Sequence, residues 1–184
     1  MKVLAFNGSP RPKGNTATMM KVIMEEAEKN GHETEMINVY DLNIKGCIAC
    51  RACKDGKVEY CVVQDGLHDV YSKIAEADVL MFGSPIYIGH LTGPMKTLID
   101  RFYTFGRQDY TVRILPGKRY INVITSGSGD GAYQGVMEFL DSWLSKFFKM
   151  DKIGSLLIGN IINPDDAENS EKWLEEARSL GQSI

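Results

Sequence analysis

No apolar run in the 184 residues approaches the length needed to cross a bilayer. Met1-Lys2 leads straight into Val3-Leu4-Ala5-Phe6 rather than into a charged-then-apolar leader, so the expectation is a cytoplasmic protein with no membrane partner. Excess positive charge is lacking too: the formal net charge of −3 argues against nucleic acid or an anionic surface as a partner. No Ser/His/Asp set, metal-spaced histidine pair or pair of carboxylates sharing a face stands out. Hydrolytic and acid–base mechanisms therefore have no anchor, and no catalytic side chain is named. Cysteine is scarce, and all four (Cys47, Cys50, Cys53 and Cys61) fall in one short segment. In a reducing compartment such a cluster points to metal or redox chemistry rather than structural disulfides. Repeats, low-complexity tracts and linkers are absent as well. With 43% hydrophobic and 24% charged residues, the chain reads as one globular domain, 1–184, with a cysteine-rich loop at 46–61.

What is present begins at Phe6-Asn7-Gly8-Ser9-Pro10-Arg11-Pro12-Lys13-Gly14-Asn15-Thr16. A short apolar run precedes it, and a stretch with apolar residues at helical spacing follows. The loop thus joins the end of a strand to the start of a helix, where free N–H groups and the helix dipole favour an anion. Ser9, Asn15 and Thr16 add side-chain donors, Arg11 a positive fork, and Gly14 room for close backbone approach. A P-loop is excluded because Gly14 is followed by Asn15-Thr16 rather than Lys-Ser/Thr, and the dinucleotide fingerprint lacks its third glycine. The remaining fit is a terminal monoester phosphate such as that of FMN. The plainer alternative, in which Ser9 and Asn15 only cap a helix, leaves Arg11 without a purpose.

Further along, Glu33–Tyr40 alternates polar and apolar residues, as a half-exposed strand does, while Val79-Leu80-Met81-Phe82 is apolar throughout and reads as central. Strands are also expected at Tyr120–Thr125 and Ile153–Ile158. Helices are expected after Asp65, from Pro94, from Val136 through Phe147 on one apolar face, and from Asp166 to about Leu180. Strands alternating with helices give an α/β doubly wound five-stranded parallel sheet of flavodoxin-like order 2-1-3-4-5. A ligand then sits beyond the carboxyl ends of strands one and three.

Three unusual loops converge there. Pro85-Ile86-Tyr87-Ile88-Gly89 offers backbone groups to the polar edge of a flavin ring, with Tyr87 and Ile88 as an apolar face. Thr125, Ser126 and Gly127 close the same crevice from the fourth strand. The alternative makes Tyr87 a core aromatic and the glycines turn punctuation. Cys47, Cys50 and Cys53 stand at three-residue intervals, so a helix-like turn would point all three thiols one way. That run has the spacing with which ferredoxins hold three corners of a cubane cluster, and Cys61 closes the fourth corner of a [4Fe-4S] site. Zinc and an unmetallated set are the competitors.

These motifs resemble the NAD(P)H-dependent FMN reductase branch of the flavodoxin-like superfamily, and within it the iron–sulfur flavoproteins. The resemblance rests on Gly8-Ser9-Pro10-Arg11 with Asn15-Thr16, the cysteine run, Gly83–Gly89, and Pro94-Met95-Lys96-Thr97-Leu98-Ile99-Asp100-Arg101. It implies FMN at a subunit interface, a [4Fe-4S] cluster close to it, and electron flow from NAD(P)H or ferredoxin to a small-molecule acceptor. A cluster-free NAD(P)H-dependent FMN/quinone reductase and a non-catalytic redox or metal sensor are the two other readings. The apolar residues around 86–90 and 102–110 suggest a homodimer or homotetramer.

Overall fold

The computed structural model describes residues 1–184. In chain order the elements are β1 (Lys2–Asn7), α1 (Asn15–Lys29), β2 (Glu33–Asn38), α2 (Val70–Glu76), β3 (Val79–Tyr87), β4 (His90–Leu91), α3 (Gly93–Arg101), β5 (Arg119–Thr125), α4 (Gln134–Asp141), β6 (Asp151–Ile158) and α5 (Glu171–Gln182). The five long strands are parallel, in the order β2-β1-β3-β5-β6, which is the flavodoxin-like arrangement expected. The strand not foreseen is β4, two residues that fold back on the end of β3, pairing Ile86 with Leu91 and Tyr87 with His90.

Period-two alternation sends each strand's apolar residues to two opposite layers. Leu4, Phe6, Leu80, Phe82, Tyr120 and Ile124 face a core shared with α2, α3 and α4. Val3, Ala5, Val79, Met81, Ile121 and Val123 face a second core under α1 and α5. Gly83 is where the second layer comes closest: a Cβ there would lie 2.0 Å from the Met20 sulfur of α1. Any larger residue would have to displace the buried Met20 side chain.

Several boundaries differ from the sequence expectation: β2 ends at Asn38 and Val39–Leu42 forms a 3₁₀ turn instead of continuing the strand to Tyr40, β3 runs on to Tyr87 through residues expected in the loop, and α2 starts only at Val70. The last long strand starts at Asp151 rather than Ile153. The last helix starts at Glu171 rather than Asp166, because the Asp166 carboxylate accepts the N–H groups of Ile162 and Asn163, each at 2.7 Å, and so closes a turn instead. The apolar face expected from Val136 to Phe147 is broken as well. After Asp141 the chain widens into a π-turn, Ser142–Phe147, which shifts the register. Val136, Met137, Leu140, Leu144 and Phe148 are buried, while Phe139 and Trp143 turn outward. No helix is long and apolar enough to cross a membrane.

Candidate functional site

The loops after β1, β3, β5 and β6 leave the sheet at one end, because Asn7 is in register with Gly83, Pro85 with Thr125, and Thr125 with Ile158. The β1–α1 loop is built by short-range bonds. Asn7 Oδ1 accepts the Ser9 N–H (3.1 Å), Ser9 Oγ accepts the Arg11 N–H (3.1 Å), and the Gly14 N–H donates to Arg11 O (3.1 Å). A Cβ on Gly14 would lie 2.9 Å from the Arg11 Cβ, so glycine keeps the turn tight. Helix α1 then starts without any side-chain cap, and the N–H groups of Asn15, Thr16 and Ala17 meet no protein acceptor. Arg11 is exposed and makes no side-chain bond. Three unanswered N–H groups, a helix N-terminus and a free guanidinium fit a phosphate monoester well.

Two of the anticipated donors are committed elsewhere. The Asn15 side chain bridges to the loop after β6, donating to Asn163 O (2.7 Å) and accepting the Ala167 N–H (3.0 Å). Thr16 Oγ1 meets Thr125 Oγ1 at 2.8 Å in a buried contact. The cup therefore keeps the backbone of Asn15 and Thr16, while their side chains tie it to neighbouring loops.

The second loop is a tight hairpin. Ile88 (φ +46°) and Gly89 (φ +77°) both occupy the left-handed region at its tip, the pattern of a type I′ turn. Ile88 is fully exposed and Tyr87 half-exposed, so Tyr87 is not a core aromatic. Thr92, which sequence reading passed over, locks the hairpin to the first loop. Its Oγ1 donates to Gly8 O (2.7 Å), its N–H donates to Ser84 Oγ (3.1 Å), and it caps α3. A threonine directly before Gly-Pro was the available signal. Tyr40 was missed too. Partial burial, with Tyr87 beside it, pushes its phenol above the usual range. In the third loop Thr125 and Ser126 are buried and Gly127 exposed. Gly159 is the glycine that packing demands, since its Cβ would sit 2.6 Å from the Asp130 N.

Behind the hairpin lies a cavity of about 470 Å³. Arg51, Lys54 and Arg107 line it with aromatic rings of Tyr103, Phe139 and Trp143. Phe139 meets His90 of the hairpin edge-on, at 5.7 Å between centroids.

The cysteine segment differs from expectation. Between Asn43 and Asp69 there is no helix or strand. Ala49 (φ +53°) and Arg51 (φ +62°) are left-handed on either side of Cys50, so the helix-like turn that would align three thiols does not form. Cys47 and Cys50 are exposed, Cys53 and Cys61 half-buried, and no group of these side chains is assembled to hold a metal ion. As folded here, the four thiols do not fit a [4Fe-4S] cluster.

The sequence matches the family model described as NADPH-dependent FMN reductase over residues 1–159. An iron–sulfur flavoprotein of Archaeoglobus fulgidus is 41% identical over 131 residues, 71% of this chain and 62% of that protein. An iron–sulfur flavoprotein of Methanocaldococcus jannaschii is 30% identical over the whole of this chain and 95% of its own length. Among solved structures, the NAD(P)H:quinone oxidoreductase from Methanothermobacter marburgensis superposes with a TM-score of 0.76 at 18% identity, covering 99% of this chain and 98% of that one.

Proposed function

Because the chain belongs to the NADPH-dependent FMN reductase family and is an FMN oxidoreductase, we propose that it passes electrons from a nicotinamide donor to a small acceptor, with FMN held in the crevice between β1 and β3. The observation that carries this reading is the uncapped start of α1, whose N–H groups of Asn15, Thr16 and Ala17 lack a protein acceptor beside the free Arg11 guanidinium. FMN, when bound, supplies the electron-transfer chemistry. The chain supplies placement. Ser9, Arg11, Gly14, Asn15 and Thr16 hold the phosphate, the last two through their backbone. Pro85–Gly89 presents backbone to the ring's polar edge, and Thr125, Ser126 and Gly127 close the other side. The cavity behind the hairpin, with its cations and aromatic rings, suits a planar acceptor carrying negative charge or carbonyl oxygens.

Flavin analysis of the purified protein, followed by NADH and NADPH oxidation with a quinone acceptor, tests the proposal. One FMN per chain with turnover supports it; absence of FMN after reconstitution overturns it. The fully exposed Ile88, the half-exposed Tyr87 and the outward Phe139 and Trp143 also favour self-association through this face. A light-scattering mass of one chain at micromolar concentration would rule that out.

A second reading adds a [4Fe-4S] cluster on Cys47, Cys50, Cys53 and Cys61, favoured by a relative named iron–sulfur flavoprotein that matches over the whole chain. It requires the thiols to leave the positions described above. Iron and acid-labile sulfide in anaerobically prepared protein would support it. Their absence after reconstitution leaves the cluster-free reductase.

A further inference from the structure

The segment that carries every thiol is seated without using any of them. Its ends meet at a neck, where the Gly66 N–H donates to Leu42 O (3.1 Å) and the Lys45 N–H to Asp65 Oδ2 (2.9 Å). Arg101, at the C-terminal end of α3 and 1% exposed, spans that neck. Its Nη1 donates to Asp65 Oδ2 (2.6 Å) and Lys45 O (2.8 Å), and its Nη2 to Val63 O (3.4 Å). Inside the neck, Lys54 donates to the carbonyls of Tyr103 and Gly106 with its ammonium 3.6 Å from the centre of the Tyr103 ring. Arg113 holds Glu59 O, and Thr104 holds Tyr60 O. By contrast, Gly46 through Cys50 makes no hydrogen bond to the rest of the protein.

The seat therefore has two parts. Cys53 is adjacent to the docked Lys54, and Cys61 packs against the core cluster that contains Tyr71. The Arg101 Nε–H and the Tyr71 hydroxyl are buried there without a partner. Cys47 and Cys50 ride on the unattached stretch, Cys50 between the left-handed Ala49 and Arg51.

We propose that Arg101, paired with Asp65, is a positioning residue that fixes Cys61, and that residues 46–50 are the moving half of the segment, with the neck closed throughout. The proposal does not depend on the second reading above, because its test reads the thiols directly.

The experiment is pulse alkylation of reduced, chelator-treated, FMN-bound protein, with the rate at each cysteine read by peptide mass. In the wild type Cys47 and Cys50 should react at least about tenfold faster than Cys61. In Arg101→Leu the Cys61 rate should rise into the range of Cys50, with Cys47, Cys50 and FMN affinity unchanged, and Arg101→Lys should restore part of the protection. An unchanged Cys61 rate, or all four rates rising together with loss of FMN, overturns the proposal. Should Arg101→Leu not fold, hydrogen exchange of the wild type decides instead. The amides of Lys45 and Gly66 should exchange at least about a hundredfold more slowly than those of 47–50; equal exchange overturns the neck.

Discussion

After β1 the chain turns into α1 within Gly8–Gly14, using bonds between residues two or three apart; after β2 it wanders from Asn43 to Asp69 with no regular structure, held by side chains from α3 and the stretch beyond it. Both segments leave the carboxyl ends of adjacent strands, and both are polar. The first makes its own shape and leaves N–H groups open for a ligand. The second has its shape imposed from outside, by cations reaching its carbonyl groups. A loop of the first kind is held in shape by its own short-range bonds. One of the second kind opens piece by piece, each piece as stable as its borrowed anchor.

The sharpest way to break that contrast is at the neck. Asp65→Ala should cost about 3–5 kcal/mol in urea unfolding, because it strands the buried Arg101 charge. Next in size is Arg11→Ala. It should weaken FMN binding by about 1.5–3 kcal/mol, roughly 10- to 150-fold by titration, with unfolding free energy unchanged in the absence of FMN. Wild-type affinity in that variant would remove Arg11 from the phosphate site. Thr16→Val should cost about 0.5–1.5 kcal/mol, since Thr125 Oγ1 loses a buried partner.

The two segments should also part company in acid. Burial opposes ionisation of Asp65, but the hydrogen bond from Arg101 and those from the N–H groups of Lys45 and Leu67 outweigh it and hold the carboxyl below its ordinary pKa of 3.8. A depressed carboxyl contributes stability above its unfolded value and loses it as pH falls through the folded one. Below about pH 5 the wild type should therefore lose stability faster than Asp65→Asn, and parallel stability curves for the two would contradict this linkage. The smallest effect belongs to the unattached stretch. Cys50→Ser should change the unfolding free energy of metal-free protein by no more than about 0.5 kcal/mol.

The same contrast explains what could be read from the chain. The β1 loop was legible because its glycines, hydroxyls and arginine are contiguous and their geometry is local. The sheet order followed from apolar runs separated by helical spacing. Thr92, Asn163 and Arg101 were not legible as site or anchor residues, because each acts on a segment dozens of residues away. The cysteine spacing suggested a helical turn, but left-handed Ala49 and Arg51 cannot be read from residue type. The π-turn at Ser142–Phe147 likewise follows a helical period until packing against Phe148 and the core breaks it. Phe139, on α4 before that break, and Trp143, within it, both line the cavity.

The first two residues of α1 are bolted to two other loops, Asn15 to Asn163 and Ala167, and Thr16 to Thr125. Thermodynamic linkage then makes the helix start a shared account for all three. An anion present at a hundred times its dissociation constant adds about 2.7 kcal/mol to the folded state. Because the bolts join the loops to the bound turn, that increment should be felt beyond it. Stripping FMN would accordingly register as faster amide exchange at 126–130 and 160–167 as well as at 14–17, so a measurement made far from the phosphate would report whether the phosphate is there.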